Sequence, residues 1–573
     1  MSLDRKQYLL DTTGTTYLLG RLNQQTEALD LHQSQQSLPE NIGNYPNLRI
    51  ILSYDGRGQL PSLPQSIGNL KNLLVLNLNR NILRQLPESF VQLKQLQVLN
   101  LSRNWLENLP DSFGQLQQLQ FLDLSDNRLN QLPESFGQLK QLQVFEYASN
   151  QLSQLPKEIL ELQQLKSLSL RRNQLTSLPE TFSHLQQLQS LDLSYNHLSQ
   201  LPQGILQLQQ LKSLRLGPNK LNQLPESFGK LRQLQSLDLG GNKLSQLPET
   251  FNQLQQLQSL ELRSNQISQL PKEILQLYQL QSIDLSYNQL SQLPKHFGQL
   301  QQLQSLNLSD NQLSQLPQEI LQLYQLQSLN LNHNQLKQLP EEILQLRHLQ
   351  SLSLRYNELD QLPESFGQLQ QLKSLDLGYN NFIQLPDFIE KLTKLEKLYL
   401  ENIPISETEL RDLQNALPKC VIIYRSPEEI QAYNLAKNKV EVERYQRITA
   451  DRESDLRNGK AIDSTRAATN YNSLGWYQLL TGQFTEAEVA IRRGMELDST
   501  YIYLHTNLPT SLLLQGKVEE ARKLYITWKD KPLQDKTYRP IFLGDLEKIE
   551  EAGIIPPELK EAVEKIKQLL QKE

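Results

Sequence analysis

Disulfide chemistry is closed to this chain: its 573 residues include one cysteine, Cys420, so no intramolecular bridge can form. Secreted domains commonly rely on such bridges, so the shortage favours a reducing, cytoplasmic compartment. Long apolar runs are missing too. No stretch approaches the roughly 18 residues that a spanning helix needs, and the opening MSLDRKQYLLDTTGTTYLLG lacks the unbroken apolar segment of a secretory signal. No membrane insertion is expected. Charge of either sign is not in excess: Lys+Arg 57 stand against Asp+Glu 62, net -5. Phosphate backbones demand a basic surplus, so nucleic acid is not an expected partner.

Catalytic signatures are absent as well. There is no phosphate-binding G-x-x-x-x-G-K followed by Ser or Thr, no G-x-G-x-x-G, no kinase H-R-D or D-F-G, no H-E-x-x-H and no C-x-x-C. The seven histidines are scattered in variable positions and read as solvated surface, giving no metal site. Cys420 lies between Lys419 and Val421-Ile422-Ile423 with no recognisable base nearby, and reads as a packed residue. The sequence therefore predicts no enzyme, no cofactor, no metal and no small-molecule substrate.

What is present is repetition. The stretch from Leu303 to Gln325, LQSLNLSDNQLSQLPQEILQLYQ, recurs when shifted by 23 residues in either direction. Asparagine holds one position of this unit at 81, 104, 127, 150, 173, 196, 219, 242, 265, 288, 311, 334, 357 and 380, with no insertion anywhere between. Leu306 and Leu308, two apart, point to one side of a strand and enter a core. Asn307, Ser309 and Asp310 point to the other side. So short a strand buries too little apolar surface to stand alone, and must stack on its neighbours. Asn311 follows where the chain turns inward, and its amide is expected to satisfy backbone groups of its own and the adjoining coil. Pro317 suits the start of a short helical turn. Ile320, Leu323 and Leu326 return the chain to the next strand. The abundant glutamines recur at fixed outer positions and read as an uncharged, solvated face.

The pattern L-x-x-L-x-L-x-x-N-x-L-x-x-L-P resembles the leucine-rich repeat, in the 23-residue form seen in plant disease-resistance proteins and cytoplasmic Ras-pathway scaffolds. The resemblance covers about 330 residues. It implies an α/β solenoid, a horseshoe with a parallel concave sheet. Degenerate units precede the regular array: a helical start from Lys6 to Leu22, then Leu29, Leu31 and Leu38-Pro39 with Ser34 and Gly58 at asparagine positions. The register fails again at Ile403, where a polar helix from Glu407 to Ala416 replaces the usual return. At Phe145 and Tyr147, bulkier side chains replace core leucines. Beyond a charged helical stretch, NYNSLGWYQLLTGQFTEAEVAIRRGMELDST resembles a tetratricopeptide repeat through Leu474-Gly475, Gly482, Ala487 and Ile491. A weaker second unit carries Gly516 and Ala521. The expected organisation is an N-terminal cap and degenerate repeats at 1–72, regular repeats at 73–394, a capping repeat at 395–424 and a helical linker at 425–465. An all-α tetratricopeptide-like module follows at 466–535, and capping helices at 536–573.

Function then falls to the variable residues of the sheet face. The position before the repeat asparagine reads Arg80, Arg103, Asp126, Ser149, Arg172, Tyr195, Pro218, Gly241, Ser264, Tyr287, Asp310, His333, Tyr356 and Tyr379. Asp284, Arg355 and Asp376 face the same way. Exposed tyrosine with arginine is the composition of a protein-binding hot spot, so Tyr195, Asp284, Tyr287, His333, Arg355, Tyr356, Asp376 and Tyr379 form the candidate contact set. The plainer alternative is that tyrosine suits a strand end. The sequence predicts a non-enzymatic scaffold binding protein partners on the concave face and through the tetratricopeptide-like module. A regulatory or substrate-recognition subunit of a ubiquitin ligase or phosphatase is the second reading.

Overall fold

The computed structural model describes residues 27–30, 38, 40–52, 60–501, 503–533 and 536–571. The expected helix from Lys6 to Leu22, and Leu31, Ser34, Pro39 and Gly58, lie outside the described residues. The chain divides into two compact units, Met1–Leu400 with Ser406–Ile423 and Glu401–Ile405 with Tyr424–Glu573.

The first unit is a solenoid around one parallel sheet, 18-stranded among the described residues. Strand β1 (Glu27–Asp30) pairs with β2 (Leu48–Leu52), followed by one strand per repeat from β3 (Val75–Asn77) to β17 (Lys397–Tyr399), and β18 (Val421–Ile423) closes the series. Pairing is in register: Leu306 of β13 (Ser305–Asn307) lies between Ile283 and Leu329. Each repeat strand has only three residues, because the next residues already turn. Leu306 and Leu308 are buried as the alternation predicts. Ser309 and Asp310, expected on the strand's outer side, lie beyond it, with Ser309 buried and Asp310 in the left-handed conformation.

Asn311 explains how so polar a corner survives burial. Its Nδ2 donates to the carbonyls of Leu308 (3.1 Å) and Ser309 (3.1 Å) in its own coil and of Leu285 (3.0 Å) in the preceding one. Its Oδ1 accepts from Leu290 N (2.9 Å) in the preceding coil. One amide thus serves groups that water cannot reach. On the opposite side of the coil, Pro317 precedes a 3-10 turn, Gln318–Gln322, and its carbonyl accepts from Ile320 N (3.1 Å).

A second ladder runs outside these turns. The hydroxyls of Ser89, Ser135 and Ser365 donate to the carbonyls of Gln65, Asp111 and Glu341 in the preceding repeat, at 2.6, 2.6 and 2.7 Å. Such an approach leaves no room for a side chain at Gly114, where an added Cβ would lie 1.7 Å from Ser135 O. At the irregular repeat, Phe145 and Tyr147 are accommodated by aromatic packing. Phe136 lies 5.0 Å from Phe145, and Phe145 lies 5.6 Å from Tyr147. The cost is visible: the buried Tyr147 hydroxyl has no hydrogen-bond partner.

The array ends on α1 (Glu407–Ala416), started by a capping box between Ser406 and Glu409. Ile403, at the failed asparagine position, is fully buried. Cys420 is buried, and burial pushes its thiol pKa up, away from nucleophilic use.

The second unit is helical, with one short antiparallel pair, Pro532–Leu533 against Lys536–Thr537. A 31-residue helix, α2 (Pro427–Arg457), precedes α3 (Ser464–Leu479), α4 (Phe484–Leu497), α5 (Leu504–Leu514), α6 (Val518–Trp528), α7 (Arg539–Glu551) and α8 (Lys560–Gln571). Gly475 permits the close α3–α4 contact, since a Cβ there would meet Ile491 Cγ1 at 2.6 Å. Gly482 and Gly516 follow α3 and α5 with φ of 78° and 79°, a turn only glycine makes cheaply. Glu453 on α2 receives Arg493 from α4 at 2.8 Å and the Tyr471 hydroxyl from α3 at 2.7 Å, joining three helices at one carboxylate.

Candidate functional site

The column before the repeat asparagine is not a strand end. Arg80, Arg103, Asp126, Ser149, Arg172, Tyr195, Ser264, Tyr287, Asp310, His333, Tyr356 and Tyr379 all have φ between 50° and 56°, in the left-handed region. Gly241 joins them at 66°. A left-handed residue costs roughly 1–2 kcal/mol unless it is glycine, with asparagine and aspartate best among the others. That geometry explains why valine, isoleucine and threonine are missing from the column. It does not explain tyrosine.

Three of the candidate residues form a continuous stack. The His333 and Tyr356 rings lie 4.2 Å apart, and Tyr356 and Tyr379 lie 4.4 Å apart, with 21° between planes at both steps. Adjacent parallel strands impose that spacing, so consecutive aromatic residues in this column meet face to face. Arg355 lies over the stack, its guanidinium 4.5 Å from the Tyr379 ring and 5.3 Å from that of Tyr356. Its Nη1 also sits 3.8 Å from Asp376 Oδ1. Five candidates therefore converge: His333, Arg355, Tyr356, Asp376 and Tyr379.

The other three do not join them. Asp310 separates Tyr287 from the stack, and Tyr287 is 59% exposed. Asp284, in the same repeat, accepts from Ser286 N at 2.9 Å. Tyr195 stands four repeats earlier, with Arg171 and Arg172 at 4.9 and 5.7 Å from its ring.

Sequence reasoning took only Asp284 and Asp376 from the neighbouring column, the last residue of each repeat strand. It holds Asp123, Glu146, Asp192, Arg215, Asp238, Glu261 and Asp284 on successive strands, apart from Ser169 after Glu146. Burial pushes the Glu146 carboxyl up to about 7, and the Asp123 carboxylate adds to the effect. Glu261 is also raised to about 7, first by burial and then by Asp284 and Asp238. Asp123 and Asp238 are raised by burial too. A register shift of 23 residues applied to Asp284 finds these carboxylates in the sequence. Their burial could not be read there.

Comparison with known proteins fits the repeat geometry. The family described as leucine-rich repeat matches at residues 59–106, 147–198, 186–244, 255–313 and 118–139, and the leucine-rich repeat region family matches at 312–419. A leucine-rich repeat protein of Leptospira interrogans is 42% identical, and its structure aligns with 68% of this chain and 100% of its own at a TM-score of 0.63. The chain belongs to the leucine-rich repeat family.

A TDR receptor structure is 27% identical over 68% of this chain and 76% of its own, at a TM-score of 0.52. A leucine-rich repeat protein of Bacteroides eggerthii covers 69% of this chain and 86% of its own at 0.51, and its 18% identity shows the fold alone. No curated protein matches the chain. Leucine-rich repeat proteins are in general protein-interaction scaffolds. No helix among the described residues is long and apolar enough to cross a membrane, and no described cluster of three or more His, Cys, Asp or Glu could hold a metal ion.

Proposed function

We propose that the chain is a non-enzymatic scaffold that binds a protein partner on the concave sheet face. The principal contact is the His333–Tyr356–Tyr379 stack with Arg355 and Asp376. Tyr287, Asp284 and Tyr195 extend it toward the N-terminus. The stack itself carries the reading. Three successive left-handed positions hold rings that the backbone disfavours, while Asp126, Ser149, Gly241 and Asp310 fill the same position elsewhere. The fold does not need aromatic residues there, and a partner surface does.

The repeats are of the LP-containing 23-residue kind, and α3 to α6 form a tetratricopeptide-like module binding a further segment of protein. The division at 72, 394, 424, 465 and 535 belongs to this reading, and so does a cytoplasmic location.

Replacing Tyr287, His333, Tyr356 and Tyr379 together by alanine tests the face. Stability should change by only ~1–2 kcal/mol, the sum of ordinary surface substitutions. Partner recovery in a crosslinking pull-down should fall at least tenfold. Arg80→Ala with Arg103→Ala is the control. Undiminished recovery by the four-alanine protein, with loss in the control, would move the site to the N-terminal third.

A further inference from the structure

The repeat array carries a longer period inside the short one. Arg171, Asp192 and Tyr195 recur as Arg263, Asp284 and Tyr287, and again as Arg355, Asp376 and Tyr379, each member displaced by four repeats, or 92 residues. In every set the arginine lies one repeat before the aspartate and tyrosine, so all three residues stand on adjacent rungs of the face.

Two of the sets are closed by their own arginine. Arg355 lies 4.5 Å from the Tyr379 ring and 3.8 Å from Asp376, and Arg171 lies 4.9 Å from the Tyr195 ring. The middle set is different. Arg263 leans back over Gly240, where an added Cβ would meet its Cγ at 2.9 Å and its Nε at 3.3 Å. The cause lies two residues before each arginine. Ser169 and Ser353 stand there in the closed sets, whereas Glu261 stands there in the middle one, with Asp238 on the preceding strand. The charge of Arg263 falls on these two carboxylates. Gly240 leaves the space for that excursion. Tyr287 is consequently 59% exposed against 42% for Tyr195, and among the described residues no arginine or lysine lies over its ring.

We propose that Tyr287 and Asp284 form an open seat for an arginine side chain of the protein partner. The seat is the same tyrosine–aspartate pair that holds Arg355 at Tyr379 and Asp376, so the chain displays its own guest in the neighbouring set. The charge balance fits: Asp284, beside the Glu261 carboxyl, stands in the same repeat as Tyr287, and Asp310 holds the next position of the tyrosine's column, with Arg263 drawn away. A guanidinium suits it better than an ammonium: its plane stacks on a ring while its edge reaches a carboxylate. This seat rests on the reading that the concave face binds protein.

The test uses the full chain with isotope-labelled tyrosine rings, titrated with N-acetyl-arginine methylamide and with its lysine and citrulline counterparts. The Tyr287 signal is assigned by its loss in Tyr287→Phe. Arginine should shift that signal at least fivefold more tightly than lysine, and citrulline should not shift it. Asp284→Asn, which keeps the acceptor for Ser286 N, should weaken the response at least fivefold. Glu261→Gln with Asp238→Asn should weaken it too, because Arg263 is then released to close on Tyr287. Equal responses to all three ligands, or an unaffected Asp284→Asn protein, would overturn the seat. If arginine leaves Tyr287 unmoved while the four-alanine protein loses its partner, the seat fails and the binding face stands. If arginine binds as expected while the four-alanine protein keeps its partner, the seat stands and the partner site lies elsewhere.

Discussion

Asn242→Leu should destabilise the repeat array by about 3–4 kcal/mol. Asn242 is 8% exposed, and its Nδ2 donates to the carbonyls of Leu239 (3.0 Å) and Leu216 (3.2 Å) while its Oδ1 accepts from Leu221 N (3.0 Å). Leucine is close in size, so packing changes little. The loss falls on a buried N–H and the carbonyls it leaves unserved, at ~1–3 kcal/mol for each unsatisfied group. Asp238→Asn, four residues away on the sheet face, should cost almost nothing. It keeps the acceptor for Gly240 N (2.9 Å) and removes a charge that burial disfavours. Urea unfolding of both variants decides the matter. Equal midpoints would mean that the asparagine amide is not what holds adjacent coils together.

Glu146→Gln should have the opposite sign, with a gain that grows as pH rises from 4.5 to about 7. The folded-state pKa of Glu146 is raised from the ordinary 4.5 to about 7. An acid raised on folding favours the folded state fully below its unfolded pKa, and that contribution is lost as pH rises through the folded value. The window is therefore pH 4.5 to 7. At pH 8 the wild-type chain carries a buried, crowded carboxylate, and glutamine removes the charge with little change of shape. The gain there should be about 3 kcal/mol, the step from 4.5 to about 7 taken at about 1.36 kcal/mol per pKa unit. At pH 4.5 the two proteins should melt together. A gain of the same size at both pH values would assign the effect to packing rather than to charge.

The sequence made the architecture legible because one residue type could be counted. A buried asparagine that must serve two coils tolerates no insertion, so its 23-residue spacing survives in plain view. The closing helix was legible for a related reason. Ser406 and Glu409 spell a capping box, and α1 begins at Glu407. The candidate site was legible only as a column. Spacing identified Tyr356 and Tyr379 as neighbours, but contact between them depends on a left-handed backbone that a strand-like reading of x-L-x-L-x-x-N conceals. The clue was compositional: a column without β-branched residues and with glycine at Gly241. Tyr195 and Tyr287 matched by type, yet lie apart from the stack because Ser264 and Asp310 occupy intervening rungs. The raised carboxyls of Glu146 and Glu261 were invisible, since their shifts come first from burial, which no residue name encodes.

The asparagine ladder also fixes how the solenoid answers a pull on its ends. Each rung ties a coil to the one before it through the same set of bonds, as Asn311 does to Leu285 and Leu290 and Asn334 does to Leu308 and Leu313. The rungs act in series, and each bears the whole load. Breaking one frees a single 23-residue coil, which pays out about 80 Å of extended chain. Because the next rung is nearly identical, the force barely changes from one release to the next. Under tension the array behaves as a constant-force spring, lengthening by equal increments rather than failing at once.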